Sequence, residues 1–387
     1  GLLLSGPSAR TTEDPFSGRR FDGLPAGMPP GRIFDMSSWR LGDENDFLKE
    51  RQALQLRISE ATSISRSGPR LELAQFYFAR GLAAEAIGLL RTIEQSDEDL
   101  AKRPDVRALR GASDFMLGRY EEAEASLADP ALNGYSEAEL WRGAASAAQG
   151  KWNEAVEHFA RAGEIPGGYP RNYTTELALL AAEAAIRAGD YRGAGSFLDV
   201  VAEGAPTPGE KARLDFLRAR VLQASGDLET AVDIWQRLAN GEDRWARVRS
   251  ERALIELDLT EGKISDQEAA DRLDQLRYAW RGDRLEFELL HELGRLRLKE
   301  NEYEAGLDAL RQAVTFFPNN PETKETAQEL TKAFSDIFTH GAIEGMTPLQ
   351  ALALYDEFRE LTPVGQAGDK IIEGLADRLV RVDLLDR

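Results

Sequence analysis

Asn301–Asn320, NEYEAGLDALRQAVTFFPNN, is the stretch whose reading decides the fold. It opens on a turn-like Asn-Glu-Tyr and carries apolar residues at helical spacing. It stops at Pro318-Asn319-Asn320, where proline cannot continue a helix. The residues just before it, HELGRLRLKE, read as another helix, so the two form a hairpin. The same turn, a small residue, a spacer, an aromatic or apolar residue and a small residue three further on, recurs along the chain. It is found at Gly81 with Ala86, Gly118 with Ala123, Gly150 with Ala155, Gly189 with Ala194 and Gly226 with Ala231. Successive turns are 37, 32, 39 and 37 residues apart, and the last step, from Gly226 to Asn301, is 75. That step holds two units, with the intervening turn expected near Gly262.

The hairpin is therefore a repeat, and it resembles the tetratricopeptide repeat over residues 69–361. The unit at 287–318 matches most fully: Leu290, Leu293 and Gly294 in its first helix, Asn301 and Tyr303 at the turn, and Gly306, Leu310, Ala313 and Pro318 after it. Small residues at Gly294 and Gly306 would let the two helices approach closely, with Tyr303 and Leu310 filling the space beside them. Two departures stand out. The mean spacing exceeds 34, and Arg110, Arg142 and Arg218 occupy positions where the family often has leucine. Their aliphatic stems are expected to lie on the neighbouring repeat, with the charge at the surface. The resemblance implies an all-α fold, a right-handed α-solenoid of stacked helix-turn-helix units running without interruption from about Pro69 to Thr362.

Start signals support that class. Ser136-Glu137-Ala138-Glu139, Ser265-Asp266-Gln267-Glu268, Thr207-Pro208-Gly209-Glu210 and Thr347-Pro348-Leu349-Gln350 fit the capping box, the last two with proline at the first helical position. No stretch alternates with period two for long enough to make a strand. Before the repeats, 11 of the first 31 residues are glycine or proline, which predicts an extended arm over residues 1–45. A capping helix follows within 46–68, with Phe47, Leu48, Leu54 and Ile58 as its apolar set. Residues 363–387 read as the first helix of a further repeat or a C-terminal cap. Ile371, Ile372, Leu375, Leu379 and Val380 would form its core face, with Leu384 after the next turn, so the chain reads as a piece of a longer repeat protein.

Composition bounds the chemistry. The 387 residues carry 48 basic and 67 acidic side chains, a net charge of −19, which argues against a nucleic-acid or anionic-membrane surface. Hydrophobic content of 42% and charge of 30% describe a folded chain, and no apolar run approaches the roughly 20 residues needed to span a bilayer. The absence of cysteine excludes disulfides and thiolate metal sites, and fits an oxidising compartment such as a bacterial periplasm or cell envelope, with the cytoplasm as the alternative.

No catalytic, cofactor or metal motif emerges. His291 begins HELGR, but Arg295 stands where the zinc motif H-E-x-x-H needs its second histidine. His158 and His340 read as structural. GAASAAQGK at Gly143–Lys151 has too many residues between its glycines for a phosphate loop, and GAGSF at Gly193 lacks a third glycine and a preceding strand. Trp152 and Trp235 fall at repeat core positions; Trp39, Trp245 and Trp280 do not.

The expected function is a non-catalytic scaffold or adaptor that binds a protein or peptide partner in a concave groove. The alternative is an accessory or regulatory region for an enzyme, such as a glycan-cleaving one, whose catalytic part lies in another chain or segment. In the family resembled, the groove is lined by first-helix positions. Mapped through the turn glycines, these are Leu71, Phe78, Phe115, Met116 and Leu140 in early repeats, and Arg213, Phe216, Arg220, Arg295 and Lys299 in later ones. That gives an apolar half-groove followed by a basic one. Either the arm, with Phe16, Phe21 and Ile33, covers the apolar half, or a partner segment apolar at one end and acidic at the other engages both.

Overall fold

The computed structural model describes residues 30–43, 45–63, 65–339 and 341–381. Residues 1–29 of the expected arm, with Phe16 and Phe21, lie outside that description, as do His340 and the C-terminal residues from 382 on, with Leu384. The described residues form helices and no strand. The chain divides into two compact units at Asp227–Leu228.

The first unit contains α1 (Met36–Trp39), α2 (Phe47–Glu60), α3 (Ser67–Ala79), α4 (Ala83–Ser96), α5 (Glu98–Ala101) and α6 (Pro104–Met116). It continues with α7 (Tyr120–Leu127), α8 (Ser136–Ala148), α9 (Trp152–Ala162), α10 (Arg171–Arg187), α11 (Tyr191–Glu203) and α12 (Pro208–Ser225). The pairs α3–α4, α6–α7, α8–α9 and α10–α11 are antiparallel hairpins. Each second helix packs on the next pair's first helix, and α6, α8, α10 and α12 touch in succession. The second unit holds α13 (Leu228–Ala239), α14 (Arg244–Thr260), α15 (Asp266–Ala279), α16 (Arg284–Lys299), α17 (Tyr303–Phe316), α18 (Thr323–Thr339), α19 (Pro348–Glu357) and α20 (Gln366–Arg381). Here α14–α15 and α16–α17 are the hairpins, and α18, α19 and α20 close the end over Phe334, Phe338, Leu354, Phe358, Ile371 and Leu375.

All seven turns named from the sequence are present, and they are one structure used seven times. The residue after each first helix has positive φ: Gly81 at 79°, Gly118 at 72°, Gly150 at 76°, Gly189 at 77°, Gly226 at 92°, Gly262 at 68° and Asn301 at 64°. Its N–H donates three residues back and the next N–H donates five back, as in Gly81 to Phe78 and Leu82 to Tyr77. These two bonds satisfy carbonyls that the helix end leaves open, and the left-handed backbone they need is one that glycine, and next best asparagine, adopts with least strain.

Several side-chain assignments need correction. In α2, Leu54 is buried but Leu48, one step round the helix from Phe47, is 59% exposed. In α20, Ile371 and Leu375 share the buried face, whereas Ile372 and Val380 fall on the next one and are more than half exposed. Thr207 with Glu210 and Thr347 with Gln350 form complete capping boxes, and Ser265 accepts from the Glu268 N–H. Ser136 is no cap: it lies inside α8, and its hydroxyl donates to the Gly31 carbonyl at 3.3 Å. Arg110, Arg142 and Arg218 do reach back to the preceding second helix or the turn after it, but their heads are bound there, to Glu94, the Leu127 carbonyl and Asp199.

Candidate functional site

In the first unit the first-helix face holds a segment of the chain itself, residues 31–43. Gly31, at φ 77°, turns its carbonyl onto the start of α8, where it accepts from the Glu137 N–H at 3.1 Å as well as from Ser136. The next residues have no regular structure, and two successive N–H groups, of Ile33 and Phe34, converge on one oxygen of the Glu137 carboxylate at 2.5 and 2.8 Å. Two consecutive donors aimed at one point make a natural anion cradle. Glu137 is fully buried. Its other oxygen accepts from the Tyr169 hydroxyl at 2.6 Å and lies 3.2 Å from the Arg32 guanidinium. Trp141 donates to the same hydroxyl at 3.0 Å, so indole, phenol and carboxylate form a buried chain. Burial pushes the Tyr169 phenol well above its ordinary pKa, and the adjacent Glu137 charge pushes it further.

Side chains of the segment complete the contact. Ile33, Phe34 and Met36 are buried to within 1% of full burial. The Phe34 ring meets Phe78 edge-on at 5.4 Å and tilts against Trp39 at 5.6 Å; Phe78 in turn packs on Tyr173 at 4.9 Å. Asp35 caps α1 through the Ser38 N–H. Beyond α1, the Arg80 guanidinium collects the carbonyls of Arg40, Leu41, Gly42 and Asp43 at 2.8–3.3 Å, while Arg40 donates to the Gly168 carbonyl at 2.7 Å. The segment is thus held at both ends by side chains that read its backbone.

The residues expected to line an open apolar groove lie inside this assembly. Leu71, Phe78, Phe115 and Leu140 are buried in the main core of the first unit, with Met116 half-buried against it. The positions read as a basic half fall in different places. Arg213, Phe216 and Arg220 are on α12 of the first unit, and Arg213 is paired with Glu176 at 2.8 Å. Arg295 and Lys299 are on α16 of the second unit, both about two-thirds exposed; Arg295 lies 3.4 Å from Glu329, and Lys299 pairs with Asp266. With 67 acidic side chains against 48 basic ones, a lone cation on this chain readily finds a carboxylate. Glu137, Tyr169, Trp141 and Arg80 were not foreseen. The signal available was the pair Ile33-Phe34, apolar in an otherwise polar, glycine- and proline-rich stretch.

Two further charged clusters are structural. Glu139 receives Arg142, His158 and Arg161 at 2.7–2.9 Å, joining α8 to α9. Burial alone would raise its carboxyl, but the hydrogen bonds from His158, Arg161 and Arg142 outweigh burial and hold it at about 2. In the second unit Arg252 sits among Glu256, Glu288 and Glu292. His291 is bonded to Glu329 at 2.7 Å, and no group of three or more His, Asp or Glu among the described residues could hold a metal ion. Trp235 is a core residue; Trp245 and Trp280 sandwich Arg249 at 4.1 and 5.3 Å.

What remains is the helix crossing. A Cβ on Gly294 would lie 2.7 Å from Leu310 Cγ and 3.0 Å from the Gly306 carbonyl, and one on Gly306 would lie 2.9 Å from the Leu298 backbone nitrogen. Gly111 against Leu127 and Gly143 against the Phe159 ring repeat the arrangement in the first unit. Three helix pairs thus cross on glycine, and each is joined by a left-handed turn residue. The repeat is a helix-turn-helix unit of an α-solenoid. Among solved structures, a tetratricopeptide repeat protein from Parabacteroides merdae is similar at 15% identity, with 68% of this chain and 98% of that one covered and a TM-score of 0.43. The tetratricopeptide domain of P58(IPK) is similar at 15% identity, with 83% and 100% covered and a TM-score of 0.23. No protein-family model matches the sequence, and no curated protein matches it.

Proposed function

We propose that this chain is a non-catalytic protein-interaction scaffold that takes peptide segments on the first-helix faces of its repeats. The observation that supports the reading is occupancy. Residues 31–43 are held on such a face through their own backbone, by Glu137 at one end and Arg80 at the other. Backbone readout with pockets for selected side chains is how peptide-binding surfaces combine affinity with specificity. Arg295 and Lys299 of the second unit would have to exchange Glu329 and Asp266 for an acidic partner segment, and the net charge of −19 speaks against nucleic acid as the partner. As part of the same proposal the chain works in a cell-envelope compartment, a reading supported by the absence of cysteine. The test is selection of random displayed peptides on the full chain, carrying a photo-cross-linking residue at Arg220 or Arg295 on first helices, or at Val200 or Phe316 on second helices. Selected peptides are expected to cross-link at Arg220 or Arg295. Cross-links confined to Val200 and Phe316, or no enrichment, would refute the reading.

A further inference from the structure

Glu137 is an unusual way to hold a core together. A buried carboxylate is costly to desolvate, and even well paired it adds little net stability compared with an apolar residue; its best attested use is to fix register. Here it does fix register. All of its partners from the 31–43 segment, the N–H groups of Ile33 and Phe34 and the Arg32 guanidinium, come from a piece of chain 103 to 105 residues away with no regular structure. Each position of Gly31–Phe34 has a separate requirement. Gly31 needs its left-handed φ, and a Cβ there would lie 2.5 Å from Ser136 Oγ. Arg32 balances the carboxylate while donating to the Phe34 carbonyl at 3.1 Å. Ile33 and Phe34 supply the paired N–H groups and the buried side chains. The fit also leaves something over: the Tyr173 hydroxyl, buried against Phe78, has no hydrogen-bond partner among the described residues.

From this geometry we infer that the first-unit face is an exchangeable binding site for a segment of the form glycine–cation–aliphatic–phenylalanine, and that the chain's own Gly31–Phe34 is its resident competitor. This rests on the reading of the chain as a peptide-holding scaffold. The occupant expected from outside is a non-helical stretch of a partner protein with that pattern, whose aliphatic and phenylalanine N–H groups bind Glu137. Tethering gives the resident segment an effective concentration on the order of millimolar, so a partner enters only when its own affinity or local concentration overcomes that figure.

The experiment uses the full chain with a protease site inserted between Asn45 and Asp46, and a fluorescein-labelled peptide of residues 30–43, PGRIFDMSSWRLGD. After cleavage and gel filtration, fluorescence anisotropy is expected to show the peptide binding the nicked protein at least tenfold more tightly than the uncut one. A peptide with alanine at both Ile33 and Phe34, or a nicked protein carrying Glu137→Ala, is expected to bind at least tenfold more weakly. In the uncut chain, Phe34→Ala is expected to loosen the resident segment and raise peptide binding. Three results would overturn the inference: a cleaved segment that never leaves, a nicked protein that unfolds when it does, or binding indifferent to Glu137→Ala. Exchange of the segment between two copies of the chain, seen as a dimer that outcompetes added peptide, would overturn the partner assignment. If only these results fail while displayed peptides still cross-link at Arg220 or Arg295, the scaffold reading stands and the resident-competitor inference falls.

Discussion

Replacing Gly306 by alanine puts the helix crossing to a quantitative test. The new methyl would lie 2.6 Å from Leu298 Cγ and 2.9 Å from the Leu298 backbone nitrogen, where ordinary contact begins near 3.4 Å. A side chain could swing aside, but a backbone nitrogen moves only with its helix, so α16 must retreat from α17 by about half an ångström. Overpacking of this kind costs about 1–3 kcal/mol, and alanine in place of glycine in a helix returns about 1 kcal/mol. Because the obstruction is backbone, the cost sits in the upper half of that range, and the net loss is about 1–2 kcal/mol. Gly374, on α20 of the same unit, has nothing within 4 Å of its would-be Cβ, so Gly374→Ala should stabilise by about 0.5–1 kcal/mol. One substitution in one unit thus carries opposite signs at two positions. Urea unfolding followed by helical ellipticity gives the size of each change, and hydrogen exchange of peptides from α16 and α17 locates it. If Gly306→Ala stabilises as Gly374→Ala does, the two helices are not in close approach there and the repeat geometry is wrong.

At the turns, Gly118→Ala and Gly189→Ala have room for the methyl but not the backbone angle, so each should lower stability by about 1 kcal/mol in a thermal melt; unchanged midpoints would contradict the left-handed assignment. Tyr169→Phe leaves the Trp141 N–H and one Glu137 oxygen without their bond, an expected loss of about 1–3 kcal/mol by urea titration, and a neutral result would mean that water replaces the hydroxyl. The Glu139 carboxyl is depressed in the folded state, from 4.5 to about 2. Its contribution is therefore complete above 4.5 and disappears as pH falls through about 2, and at about 1.4 kcal/mol per unit it amounts to at most about 3 kcal/mol. Glu139→Gln should flatten the stability curve across that window, and parallel curves would show that the His158 and Arg161 bonds do not hold the charge.

The repeat was legible because its signals are local. A left-handed turn needs glycine or asparagine, a close crossing needs a small residue, and both requirements write themselves at a spacing that can be counted from Gly81 to Asn301. Burial on α20 was less legible: Ile371 and Ile372 are equally apolar, and only the packing of α18 and α19 chooses between them. The site was read least well, because its determinants are far apart in sequence. Nothing near Glu137 marks it as buried; SEAELW looks like an exposed helix start until Gly31–Phe34 is laid across it. Phe78 and Phe115 were recognised as first-helix apolar positions, but whether such a residue faces a groove or a core depends on what covers it, and Ile33-Phe34 covers Phe78.

Arrays of helical repeats are ordinarily one-dimensional: each unit touches its neighbours, stability grows by addition, and folding can begin anywhere and spread. Contact between Phe34 and Phe78, and between Ile33 and a carboxylate 104 residues further on, makes the first unit closed rather than linear. During synthesis Ile33 and Phe34 leave the ribosome long before Glu137 and Tyr169 exist, so the earliest helices must wait with an apolar surface that their nearest neighbours cannot cover. Seating the segment requires closure of a loop about a hundred residues long, a non-local step of the kind that slows folding. A truncation after α7 would not be a shorter version of the same array. It would leave the Ile33-Phe34 pair without its partner, and the loss of α8 and the helices after it would be felt at the N-terminal end of the unit.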